Sequence, residues 1–304
     1  MKRRAFMTLA FSIGIGLIAV ASPMQVNAEA APSDLASRWV VDVPTAVSLI
    51  ESGAVVLDTR DPSLKKSQPL ANAQQVIWQD FTNEDAATKG LLLSDDAALT
   101  RKLQDLGISG SVPVLAVADS INGRGEDGRL VWTLRTLGHG NAYLVDGGVT
   151  ALVANGAPAI KEVTGPGDFV VERTSEYEIT KEELRAKLGS NEVVILDTRE
   201  PREYAGSTPY GESRGGHVPG AKHIFFKDLI GEDGHILADD QLKEKLASLG
   251  VSEDTEVVSY CTGGIRSGFV TAVLNDAGLK ARNYAGSMWE WSAQPAEEYP
   301  LVIE

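Results

Sequence analysis

The chain has 304 residues, of which 43% are hydrophobic and 23% are charged, and its formal net charge is -14 at pH 7. This composition is typical of soluble globular proteins, and the length is sufficient for two domains of ordinary size. The negative charge and the lack of a dense basic cluster in the body of the sequence argue against nucleic-acid binding, because phosphate recognition needs several Lys or Arg contacts.

The first 28 residues have the pattern of an export signal. Lys2, Arg3 and Arg4 precede the apolar run AFMTLAFSIGIGLIAVA, and small residues then surround a cleavage position after Ala28. We predict that residues 1–28 are removed and that the mature protein is periplasmic or otherwise exported, with no stable membrane association. A retained membrane helix is the alternative. KRRAFM also resembles a twin-arginine signal, which leaves the export route open.

The rest of the sequence repeats itself. VVLDTRDP at 55–62 recurs as VILDTREP at 194–201, and KLQDLGIS at 102–109 recurs as KLASLGVS at 245–252. Such self-similarity indicates one structural unit used twice. The predicted boundaries are an N-terminal domain at 29–160, a linker with central Gly and Pro residues at 161–175, and a C-terminal domain at 176–304.

Each unit alternates short apolar runs with helical segments. The runs AVVLDT, VPVLAVA, EVVILDT and TEVVSYC are nearly continuous, as in parallel strands that are buried on both faces. SDDAALTRKLQDLG and ADDQLKEKLASLG begin with acidic residues and carry leucines at helical spacing before a glycine. The predicted fold class is α/β, with two mostly parallel sheets flanked by helices. Sites in such sheets form at the carboxyl ends of strands, where Asp58, Asp197 and Cys261 fall.

Cys261 is the only cysteine of the chain and lies at the end of a predicted strand. It is either a small core side chain or a nucleophile. Gly263 and Gly264 allow the backbone N–H groups to converge on an anion, and a helix predicted from about Arg266 to Ala277 would add its positive end. Such a loop, with the charge of Arg266, would lower the thiol pKa and produce the attacking thiolate. The combination favours catalysis.

Four motifs resemble a tandem rhodanese, a sulfurtransferase, and occur in the order of that family: ILDTREPREYAG, GGHVPGAKHI, YCTGGIRSG and YAGSMWEWS. The resemblance implies two rhodanese-like domains with the active cysteine in the second. It implies that Cys261 takes a sulfur from a donor, becomes a persulfide and passes the sulfur to a thiol or cyanide. The amides of the loop would cradle the persulfide, and that loop comprises Thr262, Gly263, Gly264, Ile265 and Arg266.

The first unit has Ala118 where the second has Cys261, and no compact glycine turn follows it. We therefore expect a structural half that covers the site. The loop departs from the subclasses of the family, because thiosulfate enzymes tend to carry basic residues early in the loop and mercaptopyruvate enzymes resemble C-G-S/T-G-V-T. Arg266 suits an anionic donor, so thiosulfate is favoured and mercaptopyruvate is the alternative.

Several other side chains near strand ends are candidates for a role in the site. Arg199 is a second candidate for the pocket rim, or else a structural ion pair with Asp197 or Glu200. We expect Asp197 to organise the loop from below as a hydrogen-bonded carboxylate. His217 is expected to belong to a turn rather than to act as a base. Trp289 and Trp291 are expected in the core, with the pocket wall as the alternative.

Two other functions compete with sulfur transfer. Phosphatases of this fold use C-x5-R, one residue longer than the spacing from Cys261 to Arg266, and a persulfide carrier that serves an acceptor protein would also need Cys261. No metal or cofactor is expected, because no nucleotide-binding fingerprint is present and the histidines lack ligand spacing. The four histidines are His139, His217, His223 and His235.

Overall fold

A computed structural model describes residues 35–65, 69–156 and 158–303. The predicted export segment, 1–28, lies outside these residues. Within the described ranges, no helix combines the length and apolar character needed to cross a membrane. The described residues belong to one compact unit, Asp34–Glu304.

Among the described residues up to 156, the first half contains five strands and five α-helices, and 3-10 helices lie at Leu35–Ser37 and Trp78–Phe81. The strands are β1 (Val40–Val41), β2 (Val55–Asp58), β3 (Gln74–Gln75), β4 (Val114–Val117) and β5 (Ala142–Val145). The helices are α1 (Val43–Ser52), α2 (Pro62–Lys65), α3 (Asp96–Asp105), α4 (Glu126–Thr136) and α5 (Gly148–Ala154). The strands form a parallel sheet in the order β1-β5-β4-β2-β3. Strands β2, β4 and β5 are buried along their whole length, which explains their continuous apolar sequences.

The second half, as described from residue 158 to 303, repeats this arrangement with four strands and five helices. The strands are β6 (Val193–Asp197), β7 (Lys222–His223), β8 (Glu256–Tyr260) and β9 (Lys280–Asn283). The helices are α6 (Lys181–Ala186), α7 (Pro201–Tyr204), α8 (Asp239–Ser248), α9 (Ile265–Asp276) and α10 (Ser287–Trp291), with a 3-10 turn at Phe226–Leu229. The sheet is again parallel, in the order β7-β6-β8-β9. The α/β prediction with two parallel sheets flanked by helices is therefore confirmed.

The segment 161–175 has no helix or strand, but it is attached to the first half along its length. The amide of Phe169 donates to the carbonyl of Ile108, and the amide of Glu172 donates to that of Leu137. Phe169 and Val171 are buried in the core. The connection thus adds a packed layer to the first half.

Helices α4 and α9 join the two halves. The residues from Asp127 to Thr136 and from Arg266 to Leu274 are all buried, so both helices are enclosed on every side. The backbones approach closely at Gly128, where a Cβ atom would lie 2.4 Å from the Cα of Phe269. One hydrophobic core therefore extends through both halves.

Candidate active site

Cys261 directly follows β8, and the chain turns there into α9. Gly264 precedes the helix with a left-handed φ of 81°, a conformation that glycine adopts without strain. Its amide donates a hydrogen bond to Cys261 Sγ over 3.1 Å. The first helical bond is made by the amide of Gly268 to the carbonyl of Gly264, so the amides of 265–267 precede it and have no acceptor within the helix. The loop thus has the geometry of an anion-binding nest.

The segment that begins α10 braces the cysteine from the other side. The Cys261 amide donates to Ser287 Oγ (3.1 Å), and the amides of Met288 and Trp289 donate to the carbonyls of Cys261 (3.1 Å) and Thr262 (2.9 Å). Ser287 has a left-handed φ of 51°, which places its hydroxyl where it also donates to the carbonyl of Tyr284. The sequence did not predict these hydrogen bonds, and the only sequence signal for them is the motif YAGSMWEWS.

Glu203 binds the arginine of the loop. Arg266 Nη1 and Nη2 donate to Glu203 Oε2 (2.6 Å) and Oε1 (2.8 Å), and the Thr262 hydroxyl donates to Oε1 (2.7 Å). Arg266 is 7% exposed and Glu203 is fully buried. Burial would raise the pKa of Glu203, but the hydrogen bonds and charge of Arg266 outweigh it and lower this pKa. The guanidinium fork of Arg266 is therefore occupied by a protein carboxylate.

The environment of Cys261 favours the thiolate. Burial would raise the pKa of the thiol, but the charge of Arg266 and the amides of Ser267 and Gly263 act in the opposite direction, and the net effect is a lowered pKa. Cys261 forms no disulfide within the described residues, so its thiolate can serve as a nucleophile.

A pocket of about 470 Å³ has Cys261 among its lining residues, and Cys261 itself is fully buried. Both halves line it. The first half contributes Asp61, Trp78, Gln79, Asn122, Gly123, Arg124 and Glu126, and the second contributes Tyr210, Cys261, Thr262, Ile265, Arg266 and Trp289. The half without cysteine therefore forms one wall of the pocket.

Asp197 and Arg199 lie beneath the loop and not at the pocket rim. Arg199 is fully buried and donates from Nη2 to Asp197 Oδ2 (2.6 Å) and from Nε to Oδ1 (2.9 Å). Arg199 therefore does not lie at the pocket rim. It forms the structural ion pair with Asp197 that is the alternative prediction for this residue. The Tyr260 hydroxyl also donates to Asp197 Oδ2 (2.7 Å), which ties this carboxylate to the residue before Cys261. Asp58 and Arg60 form the same pair in the first half, so the pair is a feature of the repeated fold.

The remaining candidates separate into pocket and core. Trp291 is fully buried in the core of the second half, as expected. The expectation of core packing was wrong for Trp289, which lines the pocket and packs so closely on Gly263 that a Cβ atom there would lie 2.0 Å from its ring. His217 is 1% exposed, stacks on Tyr204 and contacts the Tyr204 carbonyl through Nδ1. It forms an antiparallel β-bridge with Val302 and does not belong to a turn.

The other histidines lie apart from one another. His139 contacts the carbonyl of Ser109, and His223 contacts that of Arg199. His235 pairs with Asp146 through Nδ1 (3.0 Å). In the described ranges, no three side chains of His, Cys, Asp or Glu are grouped as metal ligands would be.

Known proteins resemble this chain in sequence and in fold. The family of Rhodanese-like domains matches residues 180–294. A thiosulfate sulfurtransferase of Pseudomonas aeruginosa is 36% identical over 180 residues, which cover 57% of this chain and 65% of that protein's length. A probable 3-mercaptopyruvate sulfurtransferase of the same organism is 32% identical over 209 residues, which cover 67% of this chain and 72% of the relative.

The 3-mercaptopyruvate sulfurtransferase from Leishmania major has a similar fold, with a TM-score of 0.68 at 19% identity over 84% of this chain and 74% of that one. The fold, the cysteine loop and these relatives define the class, and the chain belongs to the rhodanese sulfurtransferase family. The resemblance inferred from the four motifs is thereby confirmed.

Proposed function

We propose that the protein is a sulfurtransferase that moves a sulfane sulfur through a Cys261 persulfide, with thiosulfate as the favoured donor. The observation that carries this proposal is the buried Cys261 thiol, which lines the pocket and accepts a hydrogen bond from the Gly264 amide at 3.1 Å. An anion at this position is stabilised by fixed dipoles that need no reorganisation during the reaction.

The reaction has two displacements. In the first, the Cys261 thiolate attacks the outer sulfur of thiosulfate, a sulfur–sulfur bond forms to the enzyme, and sulfite leaves with the electron pair of the broken bond. In the second, cyanide or a thiolate attacks the terminal persulfide sulfur, and the Cys261 thiolate leaves. The loop amides and the charge of Arg266 would stabilise both the thiolate and the persulfide anion.

Arg124 is the cation best placed to receive the anionic end of the donor. It is exposed at the pocket mouth, 5.2 Å from the ring of Tyr210, and forms no ion pair within the described residues. Arg266 cannot offer its fork, because Glu203 occupies it. Thiosulfate is favoured over mercaptopyruvate because the relative with 36% identity is a thiosulfate enzyme.

The decisive experiment is the intact mass of the purified protein before and after thiosulfate. We expect a gain of one sulfur atom at Cys261, its removal by cyanide with release of thiocyanate, and no gain in Cys261→Ser. Parallel incubation with mercaptopyruvate ranks the two donors. An unchanged mass with both donors would contradict the proposal.

Steady-state turnover separates this enzyme from the competing functions. A carrier would take up one sulfur and then stall with cyanide and every small thiol. A phosphatase would hydrolyse a phosphate ester in a manner that depends on Cys261. The bidentate Glu203–Arg266 pair argues against the latter, because phosphate binding needs the same guanidinium nitrogens.

A further inference from the structure

A second arginine reaches the cysteine loop from the half that has no cysteine. Arg129 belongs to α4 and is fully buried. Its Nη1 donates to the carbonyl of Gly264 (3.0 Å) and its Nη2 to the carbonyl of Gly90 (2.7 Å). One residue therefore links the guanidinium to the sulfur, because Gly264 receives Arg129 at its carbonyl and donates its amide to Cys261 Sγ.

Arg129 is a buried charge without a bonded carboxylate. It takes part in none of the ion pairs among the described residues, and its Nε has no hydrogen-bond partner there. Burial lowers its pKa to about 10, and the charges of Cys261 and Glu178 oppose that shift. A buried cation of this kind is costly unless an anion compensates it.

The charged groups around Cys261 indicate which anions can compensate Arg129. Arg266 is shared between two anions, because two of its hydrogen bonds go to Glu203 while its charge also lowers the pKa of Cys261. Burial raises the pKa of Glu178 and the charge of Arg129 opposes that shift, but the guanidinium hydrogen bonds of Arg129 go to backbone carbonyls and not to Glu178. The negative charges of Cys261 and Glu178 both raise the pKa of Arg129, so an anion at Cys261 is one of the two groups that can compensate it.

The same contact orients the loop. The Gly264 carbonyl accepts hydrogen bonds from Arg129, from Asn283 Nδ2 (3.1 Å) and from the amide of Gly268 (3.1 Å). Because a trans peptide is planar, a carbonyl fixed in one direction points the next N–H, that of Ile265, in the opposite direction. Ile265 lines the pocket beside Cys261.

We propose that Arg129 is a positioning residue and the counter-ion of the Cys261 thiolate and persulfide, supplied to the active loop by the first half of the chain. The proposal rests on the proposed function for the persulfide, and on the contacts and charges of Arg129 and Gly264 for the thiolate. It predicts that loss of the charge at position 129 destabilises the Cys261 thiolate relative to the thiol, even when the loop sequence is intact.

The test is the rate of Cys261 alkylation by iodoacetamide as a function of pH, in variants with native circular dichroism. Arg129→Met should raise the apparent pKa and slow alkylation at pH 6 about tenfold, which corresponds to one pKa unit. Arg129→Lys keeps the charge and should retain most of the reactivity. Arg135→Met is the matched control, because Arg135 is a buried arginine of the same helix that also donates to a backbone carbonyl, that of Ala142.

Three results would overturn the proposal: a wild-type profile in Arg129→Met, an equal shift in Arg135→Met, or an equal shift in Arg129→Lys. If Arg129→Met does not fold, Arg129→Gln keeps an amide donor without the charge, and an unchanged profile in it would be equally damaging. Alkylation needs no sulfur donor. If Arg129→Met shows the expected slower alkylation but the wild-type protein takes up no sulfur from either donor, the role of Arg129 stands and only the proposed function is contradicted.

Discussion

The two halves contain equivalent strand-to-helix connections with different contents. Val117 pairs with Asp58 in the first sheet and Tyr260 with Asp197 in the second, so Ala118 and Cys261 occupy the same place. Each connection ends in a glycine with left-handed φ, 79° at Gly125 and 81° at Gly264. Gly125 follows Ala118 by seven positions, whereas Gly264 follows Cys261 by three.

The longer connection carries its own anion. The Asp119 carboxylate accepts hydrogen bonds from the amides of Ile121 (3.1 Å) and Asn122 (2.8 Å). The shorter connection has no such carboxylate, and its Gly264 amide donates to the sulfur. One scaffold therefore serves two purposes, according to whether the loop amides donate to a carboxylate of the loop itself or to a reactive sulfur atom.

Exchange of the thiol is the severest test of this comparison. Cys261→Ser should lose sulfur uptake and lower turnover by at least ~10³-fold, because the nucleophile is gone. Adding Ala118→Cys to that variant should not restore uptake, since Asp119 occupies the nearby amides. Intact mass after thiosulfate measures both, and sulfur loaded at position 118 would contradict our account of loop length.

The buried ion pairs below the loops give the next largest effect. Asp58→Asn and Asp197→Asn each remove a carboxylate that binds a buried arginine, and each should lower the free energy of unfolding by about 3–5 kcal/mol. Only Asp197→Asn should also alter the alkylation of Cys261, because only Asp197 binds Tyr260. Denaturant unfolding and thiol kinetics measure the two effects, and equal thiol kinetics in both variants would remove the special role of Asp197.

The pH dependence of stability should separate wild type from Cys261→Ser. The folded state lowers the pKa of Cys261 below the ordinary value of 9.0, so the unfolded chain binds more protons between the two pKa values. The free energy of unfolding of the wild type should therefore rise with pH relative to that of the variant. This extra stability is fully present above the pKa of the unfolded state and is lost as the pH falls through the pKa of the folded state. Unfolding free energies from pH 6 to 10 provide the check, and a flat difference would mean an unperturbed thiol.

The smallest effect is expected at the pocket mouth. Arg124→Met removes an exposed charge and should raise KM for thiosulfate about twofold to fivefold with little change in kcat, as expected for a solvent-exposed ion pair. Arg185→Met removes an exposed arginine that pairs with Glu298 and serves as the control. An unchanged KM in Arg124→Met would assign donor binding to the loop amides alone.

Local sequence patterns were sufficient to predict the buried strands, the helix after Cys261 and the position of the thiol at the end of a strand. Continuous apolar runs identify buried parallel strands, and the Gly-Gly turn before a helical segment predicts converging amides. The helix begins at Ile265, one residue before the predicted start. These features depend on neighbours in sequence and are therefore readable from it.

The charges that control the site were not predictable in the same way. Glu203 is 63 positions from Arg266, and Arg129 is 135 positions from Gly264, so only the tertiary fold brings them together. Trp289 was assigned to the core because an aromatic side chain near a strand end has no local sign of facing a pocket. A buried arginine within the apolar stretch GRLVWTL was a signal for Arg129, since a charge in such a position needs a partner.

The enclosure of α9 limits how this protein can be divided. A polypeptide containing only residues 176–304 would expose the whole side of α9 that α4 now covers, including Phe269. It would also lose a wall of the pocket. Truncation to a minimal catalytic fragment should therefore yield an aggregating chain, and a stand-alone version would need polar replacements along that helix.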